Sequence, residues 1–569
     1  MHKRLAAITV SPKESIHKAM EKIDAAPRQN PPAPTGIILV TQKGKFLGIA
    51  TDGDIRNAIL EGKDLQEPIE SIMIKRPLTV LHAESADTIL ARFHDVLRER
   101  DLPESRFHHI LTVDEVGNLV DIFSPFELWR RSEVKIKTVS VIGLGYVGLT
   151  LALTLNEFGI RVIGVDINEK VIKKLKGGVP HFYEKGLDQL IKKHANKNLI
   201  LSSSLSENQS DIFVICVGTP VSDKGKVMSA YLTDAVREVG KVLKPHDLVI
   251  LRSTVPIGTC RGTVIPLLEK VSGLKAGETF MVSFAPERTV EGKALEELRT
   301  LPQIIGGVNR QSLDETSKFF RVFAHTIVAV DNLEEAEAVK LLNNTFRDVS
   351  FGFANEVAWS LHGYGLNARK VIRAANEGYG RNPIPAPSPG VGGMCLVKDP
   401  YLFVASAKEK GYHPRLPIIA RDINVSMIKF IADQVDAFLK KHKKNPAKAR
   451  LFLAGMAFKG SPETSDLRYS TSVEILEQLR KRYKQIAIFD PVASEEDLGA
   501  LNANVVRSLK EGFKDSDCVL MLNNHPSFRE ADIFALASTM KAPGFLFDPW
   551  GSYREEQLTG VEGIHYAGL

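Results

Sequence analysis

The sequence predicts an α/β protein: two parallel-sheet domains joined by a helical domain, with a smaller α+β module in front. Three observations predict this. From Val139 onward, apolar runs of strand length alternate with helical patterns, as parallel sheets with crossover helices require. A glycine-spaced turn, Gly143-Leu144-Gly145-Tyr146-Val147-Gly148, joins the first of those strands to its helix. Ahead of it, residues 39–55 resemble residues 111–128. The 569 residues suffice for about three or four domains. We divide them at 1–133, 136–330, 331–435 and 446–569.

Composition narrows the function. Hydrophobic residues at 44% and charged residues at 25% are ordinary for a globular protein. The net charge of +6 is dispersed and suits an anionic nucleotide ligand better than nucleic acid. The basic stretch Lys440–Arg450 reads as a solvated connector. Cys216, Cys260, Cys395 and Cys518 are scattered, forming neither a disulfide framework nor a zinc spacing, so no metal is expected. That usage fits a reducing cytosol. No signal-peptide apolar region follows Met1, and no apolar run reaches membrane-spanning length. A cytoplasmic protein is expected.

The front module, residues 1–133, contains the repeat. Leu39–Ile55 runs strand, turn at Gly44, strand, then Thr51-x-x-Asp54 opening a helix. Leu111–Leu128 repeats the order, with its turn at Gly117 and Ser124-x-x-Glu127 at the helix start. Together the copies resemble a CBS-domain pair, whose tandem modules commonly bind adenine nucleotides. The resemblance implies that Thr51 and Asp54 hold the phosphate and ribose of a regulatory nucleotide. Helix capping explains the same two residues without a ligand. The second copy departs from the pattern, with Glu127 for the acid and bulky Phe126 for a glycine. One nucleotide site is therefore expected rather than two.

The next segment, residues 136–330, carries a dinucleotide fingerprint. The apolar strand at Val139 runs into G-x-G-x-x-G and a helix, and the strand Val162–Val165 ends in Asp166. Strand, glycine turn, helix, strand and acid, in that order and spacing, mark a Rossmann-like domain. Gly143 makes the turn, Gly145 admits a diphosphate, and Gly148 permits close packing, with Tyr146 and Val147 completing the cradle. Asp166 accepts from a free ribose, which favours NAD over NADP. Further strands end at Cys216–Pro220 and at Leu251–Thr259. They bring Thr219, Pro220 and Thr254 to the sheet edge where ligands gather. Cys216 is expected in the core. The strand ending at Val282–Arg288 presents Glu287 as a candidate base, with Arg288 beside it; a helix-start carboxylate is the plain alternative.

Residues 331–435 read as helical. Glu334–His362 keeps helical periodicity past a single interruption at Gly352. Lys340, Asn344, Arg347 and Asp348 recur at spacings of three and four and share roughly one face. A Pro-rich stretch, Arg381–Pro389, leads into Gly390-Val391-Gly392-Gly393-Met394-Cys395-Leu396-Val397-Lys398-Asp399. Glycines let a substrate approach the backbone. The nearby ammonium and exposed N–H groups are expected to lower the Cys395 pKa and make it a nucleophile. A buried, inert cysteine is the alternative. Residues 446–569 form a second unit of alternating strands and helices, opened by Leu451–Lys459 and lacking a G-x-G-x-x-G.

From Val139 to the C-terminus the chain resembles the UDP-glucose/GDP-mannose dehydrogenase family. The matching motifs are GLGYVGL, VGTP, STVPIGT, APER, KLLNNTFRDVSFGFANE, GVGGMCLVKD and AFKGSPETSDLR. The family oxidises the C6 hydroxyl of a nucleotide-linked hexose to a carboxylate with two NAD. The resemblance implies that Cys395 carries a thiohemiacetal and then a thioester. It implies that Lys340 stabilises oxyanions, and that Asn344 and Asp399 arrange a water. Thr254 and Glu287 would flank the centre, Glu287 as the base for hydrolysis, and Lys398 would support the loop. Arg288, Arg381, Gly392, Gly393, Phe458 and Lys459 would contact the UDP-sugar, and Arg468 would reach NAD. In that family the long central helix forms a dimer contact, so a homo-oligomer is expected.

Met394 and Leu396-Val397 depart from the residues common in relatives and lie near the sugar. APER and Asn344-Thr345-Phe346-Arg347-Asp348 look more like the UDP-N-acetylhexosamine branch, with UDP-glucose as the alternative substrate. Two further readings stay open: a two-electron hydroxyacid dehydrogenase, and a nucleotide-sensing regulatory protein with a decayed enzyme attached.

Overall fold

The computed structural model describes residues 3–26, 33–34, 36–43, 45–83, 85–99, 109–124, 128, 138–207, 209–221, 228–324, 326–381 and 383–569, with side chains left out at 87, 90, 91, 94, 98 and 99. The chain divides into two compact units, Met1–Ile136 and Lys137–Leu569.

In the first unit β1 (Thr9–Val10), α1 (Ile16–Ala25), β2 (Ile37–Gln42), β3 (Lys45–Thr51) and α2 (Asp52–Leu60) form one copy of a motif. β1 pairs parallel with β2, and β2 antiparallel with β3. β4 (Thr79–Leu81), α3 (Ala86–Glu99), β5 (Ile110–Val113) and β6 (Leu119–Phe123) repeat the pattern, parallel then antiparallel. The two hairpins shift register at matching places, Val40/Thr41 and Thr112/Val113. Leu111 and Ile122 of the second copy pack with Ile37, Leu39 and Ile49 of the first, so both copies share a core. The expected turn glycine Gly44, and Phe126 and Glu127 of the second copy, lie outside the described residues.

The second unit opens with an eight-stranded sheet. Its strands are β7 (Val139–Ile142), β8 (Val162–Val165), β9 (Leu199–Ser202), β10 (Ile212–Ile215), β11 (Leu248–Leu251), β12 (Met281–Phe284), β13 (Gln303–Gly307) and β14 (Ile327–Ala329). The order is β14-β13-β12-β11-β10-β7-β8-β9. Every pairing is parallel except β12 with β13, which the sequence pattern did not reveal. The chain leaves β7 toward β8 and returns on its other side at β10. The reversal opens a crevice at the strand C-termini, where α4 (Tyr146–Glu157) begins. Strands buried on both faces explain the unbroken apolar runs.

α5 (Leu333–His362) is 30 residues long, about 45 Å at 1.5 Å per residue. It packs against α6 (Asp399–Glu409) and α7 (Leu416–Lys441). Gly352 is there for closeness: a Cβ would stand 2.9 Å from the Ala420 Cβ of α7. A six-stranded parallel sheet follows, ordered β17-β16-β15-β18-β19-β20, with β15 at Arg450–Ala454, β16 at Gln485–Phe489, β17 at Asn504–Val505, β18 at Cys518–Met521, β19 at Gly544–Phe547 and β20 at Ile564–Ala567. α8 (Thr471–Arg480) crosses from β15 to β16 and packs on α7, so the last domain is tied to the helical one. Among the described residues no helix is long and apolar enough to cross a membrane.

Candidate active site

The glycine turn is shaped for a diphosphate. Gly143 has φ of +89°, and a Cβ there would stand 3.1 Å from the carbonyl of Cys216. A Cβ on Gly148 would fall 1.8 Å from the Gly143 carbonyl oxygen, so no side chain fits where helix and turn meet. Gly145 is exposed, and a Cβ there would meet nothing within 4 Å. It is the N-cap of α4, and no side chain caps that helix. Open space over uncapped N–H groups fits an anionic diphosphate. Asp166, at the end of β8, accepts from the Leu144 N–H at 2.9 Å through Oδ2 and from the Asn168 N–H at 2.9 Å through Oδ1. The cradle fits NAD. Tyr146 and Val147 open the helix, and the Tyr146 hydroxyl is committed to the buried Glu184 carboxylate. Glu184 also accepts from the Gly292 N–H at 2.7 Å and the Ala294 N–H at 2.9 Å.

The chemical residues meet through a connected chain. Lys340 and Asn344 lie on the buried face of α5. Asn344 Nδ2 donates to Asp399 Oδ2 at 2.5 Å. Asp399 Oδ1 is buried without a hydrogen bond, and Lys398 Nζ lies 3.4 Å away. Lys398 Nζ donates to Thr219 Oγ1 at 3.2 Å, and Thr219 donates in turn to the Thr254 carbonyl. The ends of β10 and β11 are thereby joined to the cysteine loop. Pro220 follows Thr219 at the same edge, and its carbonyl accepts from Met228. Arg347, the fourth polar position on the helix, is exposed while Lys340, Asn344 and Asp348 are buried.

The cysteine loop is clamped between domains. A Cβ on Gly393 would stand 2.7 Å from the Phe458 ring, and one on Gly392 would stand 2.5 Å from the Tyr469 carbonyl oxygen. The Gly393 N–H donates to that carbonyl at 3.1 Å. Lys459 stacks over Phe458, and its Nζ donates to the Glu291 carbonyl at 2.7 Å. Glu291 Oε2 also accepts from Thr464 at 3.2 Å. Burial and the Asp466 carboxylate push the Glu291 carboxyl up to about 7, against the pull of Lys459 and Arg468. Burial pushes the Lys459 ammonium down, with Glu291 opposing. Arg468 is paired with Asp466 at 2.6 Å. Arg468 is exposed, and its guanidinium is committed to Asp466.

Two expectations need correction. Cys395 is reached by solvent, yet dense surroundings push its thiol up rather than down. Lys340 and Lys398 oppose that rise, and the carboxylates Asp399 and Glu291 add to it. Glu287 is not a free base. Arg252 donates to its Oε2 at 2.5 and 3.0 Å, and the N–H groups of Arg288 and Thr289 donate to Oε1 at 2.7 Å each. Burial works to raise its pKa, but Arg252, the Thr289 N–H and Lys340 bring it below the usual carboxylate range. Cys216 stands one residue beyond β10, half-buried and packed against the main core of the sheet, as expected. Arg381 is exposed, and its guanidinium packs over Tyr379; among the described residues it forms no ion pair and joins none of the groups above. The Arg288 guanidinium donates to the Pro302 carbonyl at 2.6 Å.

Sequence reasoning passed over Arg252, Glu291, Glu184 and His181. Arg252 stands inside the quoted strand-end motif, and a charged residue ending an apolar strand was its signal. Glu291, four residues past Glu287, offered only its spacing. His181 is half-buried, and its buried Nδ1 lacks a hydrogen-bond partner; nothing local distinguishes it.

A dinucleotide cradle in one domain, tied by Lys398 and Thr219 to a clamped cysteine loop, defines an NAD-dependent dehydrogenase. Comparison with known proteins gives the family. The UDP-glucose/GDP-mannose dehydrogenase family matches in three parts: its NAD binding domain over residues 137–324, its central domain over 334–426 and its UDP binding domain over 452–555. A CBS domain matches residues 1–61. The UDP-N-acetyl-D-mannosamine dehydrogenase of Pyrococcus horikoshii is 36% identical over 406 residues, covering 71% of this chain and 93% of that protein. The NDP-N-acetyl-D-galactosaminuronic acid dehydrogenase of Ralstonia nicotianae is 31% identical over 425 residues, covering 72% and 96%. The solved structure of the UDP-D-ManNAc dehydrogenase from P. horikoshii covers 76% of this chain and 98% of that one, at 33% identity and a TM-score of 0.68. The chain belongs to the UDP-glucose/GDP-mannose dehydrogenase family, with a CBS domain at its N-terminus.

Proposed function

We propose that the protein oxidises the C6 hydroxyl of a UDP-N-acetylhexosamine to the carboxylate through a covalent intermediate on Cys395. The observation that carries this is the chain from Asn344 through Asp399 and Lys398 to Thr219, which ties the cysteine loop to the cofactor edge. The acetylated sugars in the names of similar proteins support the substrate class. NAD, when bound, accepts a hydride at each of two steps. Transfer of the first hydride to that acceptor and of the hydroxyl proton to the solvent that reaches Cys395 would give an aldehyde. The Cys395 sulfur adds to it, Lys340 balances the oxyanion as it forms, and the proton given up by the thiol passes to that oxygen to make the thiohemiacetal. Loss of the second hydride and that proton leaves a thioester. Water then attacks the thioester carbon, with Asn344 orienting it and Asp399 Oδ1, which lacks a hydrogen bond, receiving its proton. The thiolate leaves and the acid is released. Glu287, ionised and fixed by Arg252, serves as a charge beside Lys340 rather than as the base.

The test is a panel of UDP-N-acetylhexosamines, UDP-glucose and GDP-mannose with NAD, counting NADH per sugar. Two NADH per UDP-N-acetylhexosamine are expected, with acid formation stopped in Cys395→Ser. One NADH per sugar, or acid made by the variant at the normal rate, overturns the covalent mechanism; preference for UDP-glucose overturns the substrate class.

The same reading includes a homodimer. Leu342, Phe346 and Phe353 share one face of α5 and are 52%, 73% and 53% exposed, and Ile419 and Val425 of α7 are exposed as well. An apolar stripe on helices that already pack on one side suits a second copy of the same helices. Light scattering at micromolar concentration should give at least twice the chain mass, and Phe346→Glu should shift it toward one. A fully active monomer contradicts the assignment.

For the front module we infer an adenine nucleotide site in the first copy, in a cytoplasmic protein whose four cysteines are free. Thr51 and Asp54 form a capping box: Thr51 N–H donates to Asp54 Oδ2 at 2.8 Å, and Asp54 N–H donates to Thr51 Oγ1 at 3.3 Å. A coupling of about 1–3 kcal/mol would alter apparent affinity roughly 5–150-fold. Calorimetry on the full chain should show AMP or ATP binding that Asp54→Ala weakens. If neither nucleotide binds, the two residues are helix caps and nothing more.

A further inference from the structure

α5 buries more polar side chains than the chemistry uses. Beyond Lys340 and Asn344, the same face carries Asp348 and Asn355, both 0% exposed. Asp348 Oδ1 accepts from Arg421 Nη1 at 2.8 Å and from Asn424 Nδ2 at 2.9 Å, both on α7. Asn424 Oδ1 accepts from Asn355 Nδ2 at 2.9 Å. Asn355 Oδ1 accepts from the Ser388 N–H at 2.8 Å, and Ser388 Oγ donates to the Gly390 carbonyl at 2.8 Å. Arg421 Nη1 also reaches the Val391 carbonyl at 3.3 Å. A Cβ on Gly390 would stand 2.6 Å from the Asn424 carbonyl oxygen. Three of these bonds join α5 to α7, and the other three involve residues 388–391, the segment that enters the turn bearing Cys395.

Stability does not account for such a set. A buried ion pair gives up hydration that its mutual attraction barely repays, and apolar residues of similar volume often do as well. Here the cost is higher still, because Asp348 Oδ2 and Arg421 Nε are buried without partners. Directional bonds fix position where apolar contacts allow sliding. A thiol that must meet an aldehyde beside Lys340 needs such fixing, since a displacement of about 1 Å can cost roughly 100-fold in rate.

We propose that Asp348 and Arg421, with Asn424, Asn355 and Ser388, are positioning residues that set the place of the Cys395 loop relative to Lys340 on the same helix. The proposal rests on the reading of Cys395 and Lys340 given above. It separates two tasks along one helix face: the first turns supply the chemistry, and the later turns supply the anchor.

The test replaces the pair together, Asp348→Leu/Arg421→Met, so that no lone charge is left buried. The double variant is expected to melt close to the wild type and to keep KM for NAD and UDP-sugar within about threefold, while kcat falls about 10–100-fold. Alkylation of Cys395 by iodoacetamide is expected to move to a higher pH midpoint, because Lys340 acts to lower that thiol's pKa and would stand less favourably. A folded double variant with wild-type kcat and an unmoved alkylation midpoint overturns the proposal. Should the double variant fail to fold, Ser388→Ala decides: it removes one hydroxyl, and a reduced kcat at constant KM supports the proposal while wild-type kcat and an unmoved midpoint refute it. Alkylation needs no substrate, so a wild type that turned over no UDP-sugar would sink the functional reading while leaving the positioning test intact.

Discussion

The site depends on one constraint: a single helix carries a lysine, two asparagines and an aspartate through an apolar interior. Charged and amide groups are expensive to bury unless each finds a partner. On α5 those partners lie on the elements that must be held. Asn344 reaches Asp399 at the start of α6, and Asp348 reaches Arg421 and Asn424 of α7. Moving any of these elements by an ångström would leave a buried polar group unpaired. The penalty for that is what gives the cysteine loop a defined place.

The second constraint is close backbone approach. Glycine at 143 and 148 lets α4 start against the sheet, which leaves its first N–H groups facing open space over Gly145. Glycine at 392 and 393 lets the cysteine loop lie on Phe458 and Tyr469 of the last domain. The last domain therefore packs on the turn that precedes Cys395. Contacts from Glu291 to Lys459 and Thr464 close the same seam from the cofactor side. Lys340, Lys398 and Asp399 of the helical domain and Glu291 of the first domain all act on Cys395.

Much of this was legible in the sequence because local pattern carried it. The strand, glycine turn and acid from Val139 to Asp166 require one backbone path. The repeat at 39–55 and 111–128 implied two like motifs, and the strands pair in like fashion. Lys340, Asn344 and Asp348 could be placed on one helix face by spacing alone, but spacing could not say that Arg347 stays exposed. What escaped was long-range. Arg252 pairs with Glu287 from the neighbouring strand end, and that pairing turns an expected base into a fixed anion. Arg421 sits 73 residues from Asp348, and no periodicity links them. The direction of the Cys395 shift was missed because neighbours in sequence suggested cations, whereas desolvation outweighs Lys340 and Lys398, and Asp399 and the distant Glu291 add to it.

The account's central claim is that one thiol holds the sugar between the two oxidations. The most direct measurement is the intact and peptide mass of enzyme quenched in acid during steady turnover. The account predicts an added mass of one nucleotide-sugar on the peptide bearing Cys395, and none on Cys216, Cys260 or Cys518. Unmodified Cys395 throughout turnover, with free aldehyde trapped in solution, would contradict it.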